Sequence, residues 1–265
     1  MTNLKKIEKT AKKAAILAGE VLKKYFKTNL DIEVKNEISP LVTIADKEAE
    51  LIMRKLIGAV FPEHIIVGEE FGTSVPLEQI KETNKISWTL DPIDGTTAFT
   101  AGLPTFVVLI GVWQGDKPLL GLIYQPITDY MWIACGAQKT LFNGQQCLVG
   151  QNHSNNNALI VATTSPNYFS DKSLIWWQRL NEVATTAVFG GDGLLYGSLA
   201  SGHISLILEK GLKWHDVAAL IPILNNAGCV ITDHDKQPLK PYQELYSVIA
   251  ARDESILNNV MDLKS

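Results

Sequence analysis

The hydrophobic period of this chain changes at Pro62, and that change limits the folds open to it. Upstream, Ile7, Ala11, Ala14, Ala18, Val21 and Tyr25 recur at three- and four-residue steps between lysines. This predicts an amphipathic helix over residues 4–26. Ala49, Ile52, Met53, Leu56 and Val60 predict a second helix over 45–60, with Thr43 as its N-cap and Pro62 beyond its end. Downstream the apolar runs are short and strand-like, at 65–67, 88–90, 106–113, 119–124, 131–134 and 140–142, with turn signals at Gly115-Asp116 and Asn143-Gly144.

Beyond a polar stretch at 152–157 the pattern alternates. Strands are expected at 158–162, 187–189, 204–208 and 229–232, and helices at 173–183, 193–201 and 217–226. Alternation of this kind argues for α/β organisation. The expected architecture is therefore α/β overall, with an α+β half over 1–150 and an α/β half over 151–265. There are no internal repeats, and nothing suggests a flexible linker between the halves. The chain has 265 residues, 46% of them hydrophobic, enough for a sizeable core.

Composition removes some function classes. A net charge of −4 gives no general attraction for nucleic acid or anionic membranes. Cys135, Cys147 and Cys229 are scattered and odd in number, which argues against a disulfide framework. The longest apolar stretch, 106–113, is far short of the ~20 residues a membrane helix needs. The polar, Lys-rich start has no apolar h-region, so a cytoplasmic location is expected.

The strongest chemical signal is Asp91-Pro92-Ile93-Asp94-Gly95-Thr96-Thr97 after an apolar strand. Two carboxylates separated by Pro-Ile can face one divalent cation cluster. Gly95 and Thr96 offer backbone N–H groups to an anion, and hard oxygen ligands suit Mg²⁺. Alone, the motif also reads as an Asp-Pro turn with a capping Asp. Glu69 and Glu70 close another apolar strand, while Asp46 and Asp216 open helices, where each could be an N-cap. Acids from four separated segments, all at element ends, favour a shared site.

Other chemistries are poorly supported. His215 adjoins Asp216, but no second histidine has metal-site spacing, and His64, His153, His203 and His234 read as surface or loop residues. There is no G-x-S-x-G elbow and no P-loop. Trp176-Trp177 reads as a half-buried aromatic pair on a helix.

Taken together, Glu69, Asp91-Pro92-Ile93-Asp94-Gly95-Thr96 and Trp214-His215-Asp216, with Val42-Thr43 and Asp46 upstream, resemble the signatures of the inositol monophosphatase superfamily across essentially the whole chain. Residues 39–46, 98–104 and Gly190-Gly191-Asp192 with Tyr196 are similar to its histidinol-phosphatase branch. The resemblance implies a layered αβαβα sandwich, a homodimer, and two or three Mg²⁺ per subunit. Glu69, Asp91 and the carbonyl of Ile93 would hold one ion, and Asp91, Asp94 and Asp216 a second. Asp46 would be the outer partner of a weaker third. Ser39-Pro40-Leu41 stand where acids often precede the V-T element, which weakens the case for that third ion.

The resemblance also implies that Glu69 and Thr96 orient the attacking water. Gly95 and Thr96 N–H groups would hold the phosphate, beside Ile93, Asp94, Gly191, Asp192, Glu209 and Asp216 on the substrate side. The expected activity is Mg²⁺-dependent hydrolysis of a small phosphate monoester, with histidinol phosphate favoured over inositol monophosphates and nucleotide 3′-phosphates. A non-enzymatic regulatory protein of this fold is disfavoured, because an interaction module has no need of mutually repelling acids. Asp192 could bind the ammonium of histidinol phosphate, or cap the helix that follows it.

Overall fold

The computed structural model describes residues 3–27, 32–34, 41–147, 149 and 158–264. Ser39, Pro40, His153 and the polar stretch 152–157 lie outside the described residues.

Helix α1 (Leu4–Tyr25) starts at Asn3, whose side chain accepts the Lys6 N–H. Its buried stripe of Ile7, Ala11, Ala14, Ala15, Ala18 and Leu22 is the one the period predicts. The antiparallel pair β1 (Ile32–Val34) and β2 (Leu41–Thr43) leads directly into α2 (Ile44–Val60). A seven-stranded sheet follows: β3 (Ile65–Gly68), then, after the short α3 (Leu77–Ile80), β4 (Ile86–Asp94). After α4 (Thr96–Thr100) come β5 (Val107–Gln114), β6 (Lys117–Gln125), β7 (Tyr130–Cys135), β8 (Leu141–Phe142) and β9 (Gln145–Gln146). Neighbours in the sheet follow chain order. β3 and β4 are parallel and the rest antiparallel.

The second half contributes β10 (Ile160–Thr163), α5 (Asp171–Val183), β11 (Thr186–Phe189), α6 (Asp192–Ala200) and β12 (Leu206–Leu212). It continues with α7 (Trp214–Val217), α8 (Leu220–Ala227), β13 (Val230–Asp233), β14 (Tyr246–Ala251) and α9 (Glu254–Met261). Its five strands run in the order β11-β10-β12-β14-β13, parallel around β10 and antiparallel around β14.

The period-two alternation of β5 builds the layers. Val108, Ile110 and Val112 pack with α1 and α2 on one face, while Val107, Leu109 and Trp113 join α6, α7 and α8 on the other. Those three helices also cover Ala162, Ile207, Val248 and Ala250 of the second sheet. The opposite face of that sheet, with Val161, Leu206, Leu208 and Ile249, packs on Trp176, Trp177 and Leu180 of α5 and Leu257 of α9. The result is the expected αβαβα layering, with one cluster of core residues drawn from both halves.

The expected helix 217–226 is instead two helices, α7 and α8. Pro222 has no N–H for the Ala218 carbonyl, and the Trp113 indole N–H takes its place at 2.9 Å. The broken helix presses onto the sheet at two glycines. A Cβ on Gly111 would lie 2.8 Å from the Ala218 backbone, and one on Gly121 would lie 2.2 Å from the Ala219 oxygen. This close approach carries Asp216, on α7, to the end of β4.

Two histidines read as surface or loop residues lie in turns, but half-buried against aromatic rings. His64 stacks on Phe61 at 4.5 Å and accepts the Trp88 indole N–H. His234 packs edge-on to Trp176. Trp176 and Trp177 are buried rather than half-buried, and the three cysteines are buried free thiols. Among the described residues, no helix is long and apolar enough to cross a membrane.

Candidate active site

Asp91 and Asp94 lie within β4, not beyond it. The register between β4 and β5 shifts between these two residues. Pro92 falls inside that irregularity, where a residue without an N–H is tolerated. The shift brings both carboxylates toward Asp216: ligand atoms of Asp91, Asp94 and Asp216 all lie within 4.8 Å of one another.

Two further groups meet the same limit and share members with the first: Glu69 with Asp91 and His215, and Asp46 with Glu69 and Glu70. The structure therefore gathers the acids of α2, β4, α7 and the turn after β3 into one continuous cluster. Asp46 is buried in the first turn of α2. Asp216 is not an N-cap but the third residue of its helix, with Oδ2 accepting the Lys213 N–H at 2.7 Å. Its Oδ1 stands 3.4 Å from His215 Nε2.

Glu69 is held by a device that the sequence reading missed. Asp46, Glu50 and Arg54 are spaced by four along one face of α2. The Glu50 carboxylate, 0% exposed, accepts the N–H of Glu70 at 2.7 Å and of Phe71 at 3.3 Å. It also pairs with Arg54 Nε at 2.6 Å, and Arg54 donates onward to the Gly72 carbonyl. Gly68 leaves the room for this, since a Cβ there would sit 1.8 Å from Glu50 Oε1. The turn carrying Glu69 is thus wrapped around a buried carboxylate.

On the other side of the cluster, Asp94 Oδ2 accepts the N–H of Gly193 at the start of α6. Gly95 has φ +95°, and a Cβ there would lie 2.7 Å from Asp192 Oδ2. Only glycine fits that turn without strain. Asp192 does not cap α6 through its side chain; Gly191, at φ +105°, is the N-cap residue. The Asp192 carboxylate reaches Thr164 instead.

Glu209 is buried and accepts the Thr164 N–H, the Thr164 hydroxyl and the Tyr196 hydroxyl, the last at 2.7 Å. Its backbone carbonyl lies 2.9 Å from His234 Nε2. Asp94, Asp192, Tyr196, Glu209 and Asp216 line one small cavity of about 20 Å³. Thr96, also buried, donates its hydroxyl to the Ile93 carbonyl at 3.1 Å.

Electrostatically this is a strained collection of anions. Burial, then repulsion from Glu69, Asp94 and Asp216, pushes Asp91 well above the usual carboxylate range. Asp94 is raised in the same way, by burial first and Asp192 second. Burial lifts Asp216 to about 6, and burial with the nearby Glu209 lifts Asp192 to about 7. Glu69 and Glu209 are also raised, chiefly by burial. Burial lowers His215, against the pull of Glu69.

These residues fit divalent cations. Asp91 Oδ1 is a buried carboxylate oxygen with no hydrogen-bond partner, and hard oxygen donors in mutual repulsion are what Mg²⁺ neutralises.

The whole-chain comparisons agree. The inositol monophosphatase family matches residues 3–263. The bifunctional phosphatase IMPL2, chloroplastic, of Arabidopsis thaliana is 38% identical over 88% of this chain, which spans 65% of that protein's length. The fructose-1,6-bisphosphatase/inositol-1-monophosphatase of Aquifex aeolicus is 31% identical, over 88% of this chain and 87% of its own. A solved structure of an inositol monophosphatase from Zymomonas mobilis superposes with a TM-score of 0.83 at 31% identity, covering 100% of this chain and 99% of that one. The acid cluster, the layered fold and these relationships agree: the chain belongs to the inositol monophosphatase family of Mg²⁺-dependent phosphatases.

Proposed function

We propose that this phosphatase hydrolyses histidinol phosphate, using the acid cluster for Mg²⁺ and the Asp192–Glu209 side of the site for the substrate's cationic groups. Glu69, Asp91 and the Ile93 carbonyl would hold one ion, and Asp91, Asp94 and Asp216 a second; Asp46, beside Glu69 and Glu70, would serve a weaker third. When bound, the ions lower the pKa of the attacking water and neutralise charge on the phosphoryl and leaving oxygens.

The protein's own groups do the rest. The Thr96 proton is committed to the Ile93 carbonyl, so Thr96 Oγ1 faces a water as an acceptor. Glu69 is the second acceptor, and the Glu50-bound turn fixes its direction. Two acceptors aim one lone pair of that water at phosphorus. Gly95 and Thr96 N–H groups receive phosphate oxygens at a turn where Gly95 leaves the backbone uncovered.

The observation that carries the substrate assignment is Asp192. Its carboxylate stands over Gly95 and is lifted to about 7 by burial and by Glu209. Two acids repelling each other beside a phosphate cradle gain most from a ligand that brings positive charge. Histidinol phosphate carries an ammonium and an imidazole; an inositol phosphate carries neither.

Inositol monophosphate is the second reading, favoured by the names of the Aquifex and Zymomonas relatives. A homodimer and a cytoplasmic setting belong to the same proposal, the latter supported by three buried free thiols. The test is a panel of histidinol phosphate, inositol 1-phosphate and adenosine 3′-phosphate assayed with Mg²⁺. Histidinol phosphate is expected to give the highest kcat/KM, and a preference for inositol 1-phosphate would overturn the assignment.

A further inference from the structure

The phosphatase reading gives His215 no task, yet its ring stands inside the acid cluster. Nε2 lies 3.9 Å from Glu69 Oε1 and 3.4 Å from Asp216 Oδ1. The side chain is 15% exposed, and Glu69 is 13% exposed. One ligand atom each from Glu69, Asp91 and His215 can be chosen so that all three lie within 4.8 Å of one another. At 3.9 Å the imidazole is too far from Glu69 for a hydrogen bond. A second observation is independent of the histidine: Asp91 Oδ1, on a residue 1% exposed, has no hydrogen-bond partner. The residue with the orphaned oxygen and the imidazole thus belong to one group with Glu69.

We propose that Glu69, Asp91 and His215 form a mixed nitrogen–oxygen site that takes Zn²⁺ in competition with Mg²⁺. Imidazole nitrogen suits Zn²⁺, whereas Mg²⁺ takes oxygen ligands. Zn²⁺ binds nitrogen and carboxylate oxygen at roughly 2.0–2.2 Å, so tetrahedral ligands stand about 3.3–3.5 Å apart. The Glu69–His215 separation is within a small side-chain rotation of that spacing.

Three protein ligands leave the fourth tetrahedral position open. Because Glu69 and Asp91 are also the proposed Mg²⁺ ligands, the two ions exclude each other, and His215 sets the balance between them. A chain without an imidazole at 215 would have an all-oxygen site here. The proposal shares residues with the phosphatase reading, but its test needs no substrate, so either can fail alone.

The experiment titrates chelator-stripped full-length protein with ZnCl₂ and separately with MgCl₂, by calorimetry, for wild type, His215→Gln and His215→Phe. Circular dichroism verifies that each variant is folded, and the glutamine variant keeps a polar side chain if phenylalanine disrupts α7. Outer-shell partners alone change metal affinity about 10–100-fold. Loss of a direct ligand should therefore weaken Zn²⁺ binding by about tenfold or more in both variants, with Mg²⁺ affinity changed less than about threefold.

Zn²⁺ soaked into crystals of the wild type should give an anomalous peak between Glu69, Asp91 and His215. Equal Zn²⁺ affinity in wild type and variants would overturn the site, as would an anomalous peak elsewhere. So would a parallel loss of Mg²⁺ affinity, which would make His215 a positioning residue for Glu69.

Discussion

Glu50→Gln tests whether the turn carrying Glu69 is held by a buried charge. Glu50 Oε2 accepts the Glu70 N–H, and Oε1 accepts Arg54 Nε and the Phe71 N–H. An amide keeps one acceptor oxygen. Whichever way it is turned, its NH₂ faces a donor that the carboxylate had satisfied. At least one charge-assisted hydrogen bond is lost, on the order of 1.5–3 kcal/mol. Breaking a fully buried ion pair by removing one partner costs more, about 3–5 kcal/mol. Arg54, however, has a side chain 22% exposed, so water can solvate it.

The expected destabilisation is therefore about 2 kcal/mol, read from urea denaturation midpoints at constant m-value. The same variant should lower kcat more than it raises KM, because the loosened turn displaces Glu69 rather than a substrate contact. Glu50→Ala should be worse on both counts, leaving two backbone N–H groups and Arg54 without the acceptor. Unchanged stability and kcat in Glu50→Gln would refute the latch. Lost stability with kcat intact would leave it a purely structural feature.

Three other outcomes are expected. Asp192→Ala should reduce kcat/KM for histidinol phosphate by about 1.5–3 kcal/mol and hardly change it for glycerol phosphate; equal losses in steady-state assays on both esters would remove the recognition role. Asp94→Asn should keep the fold, since an amide oxygen can still accept the Gly193 N–H, but lower kcat by about two orders of magnitude or more; full activity, or activity surviving excess chelator, would contradict the metal assignment. In metal-free protein, Asp216 at about 6 and Asp192 at about 7 both lie above their unfolded value of 3.8. The folded state then holds the extra protons, so stability is full below pH 3.8 and falls as pH rises toward 7. Scanning calorimetry should show Tm falling across that window for these groups' share, and the Tm gain from added Mg²⁺ growing across it; a Mg²⁺ gain independent of pH would count against this coupling.

The layers were legible where burial follows a local period. The α1 stripe depends only on which residues face the core, and it is written into consecutive positions, while the unbroken apolar run of β5 marks a strand buried on both faces. Strand order was not legible in the second sheet. β14 lies between β12 and β13 and pairs antiparallel with both, yet it follows both in the chain. That insertion is a long-range choice that no window of sequence contains, and β14 and α9 went unassigned although Tyr246–Ala251 is an apolar run. The break between α7 and α8 was written locally, in Pro222, but its consequence needed Trp113, 105 residues away, to satisfy Ala218.

At the site, the clustered acids were legible, but Glu50 and the backbone donors were not. Asp91, Asp94, Asp216, Glu69 and Asp192 stand out because carboxylates beside apolar runs are chemically distinctive. The partners of Asp94 and Asp216 are the backbone N–H groups of Gly193 and Lys213, and those of Glu50 include the N–H groups of Glu70 and Phe71. A backbone N–H has no residue identity, so no spacing rule finds it. This also shows why cap and ligand were the wrong alternatives for Asp216. A carboxylate has two oxygens: Oδ2 closes the helix start on Lys213, and Oδ1 faces the cluster beside His215. Asp94 likewise accepts through Oδ2 from Gly193 and offers one ligand oxygen to the same cluster. The hydrogen bond that would identify a structural acid is here what fixes the angle of its other oxygen.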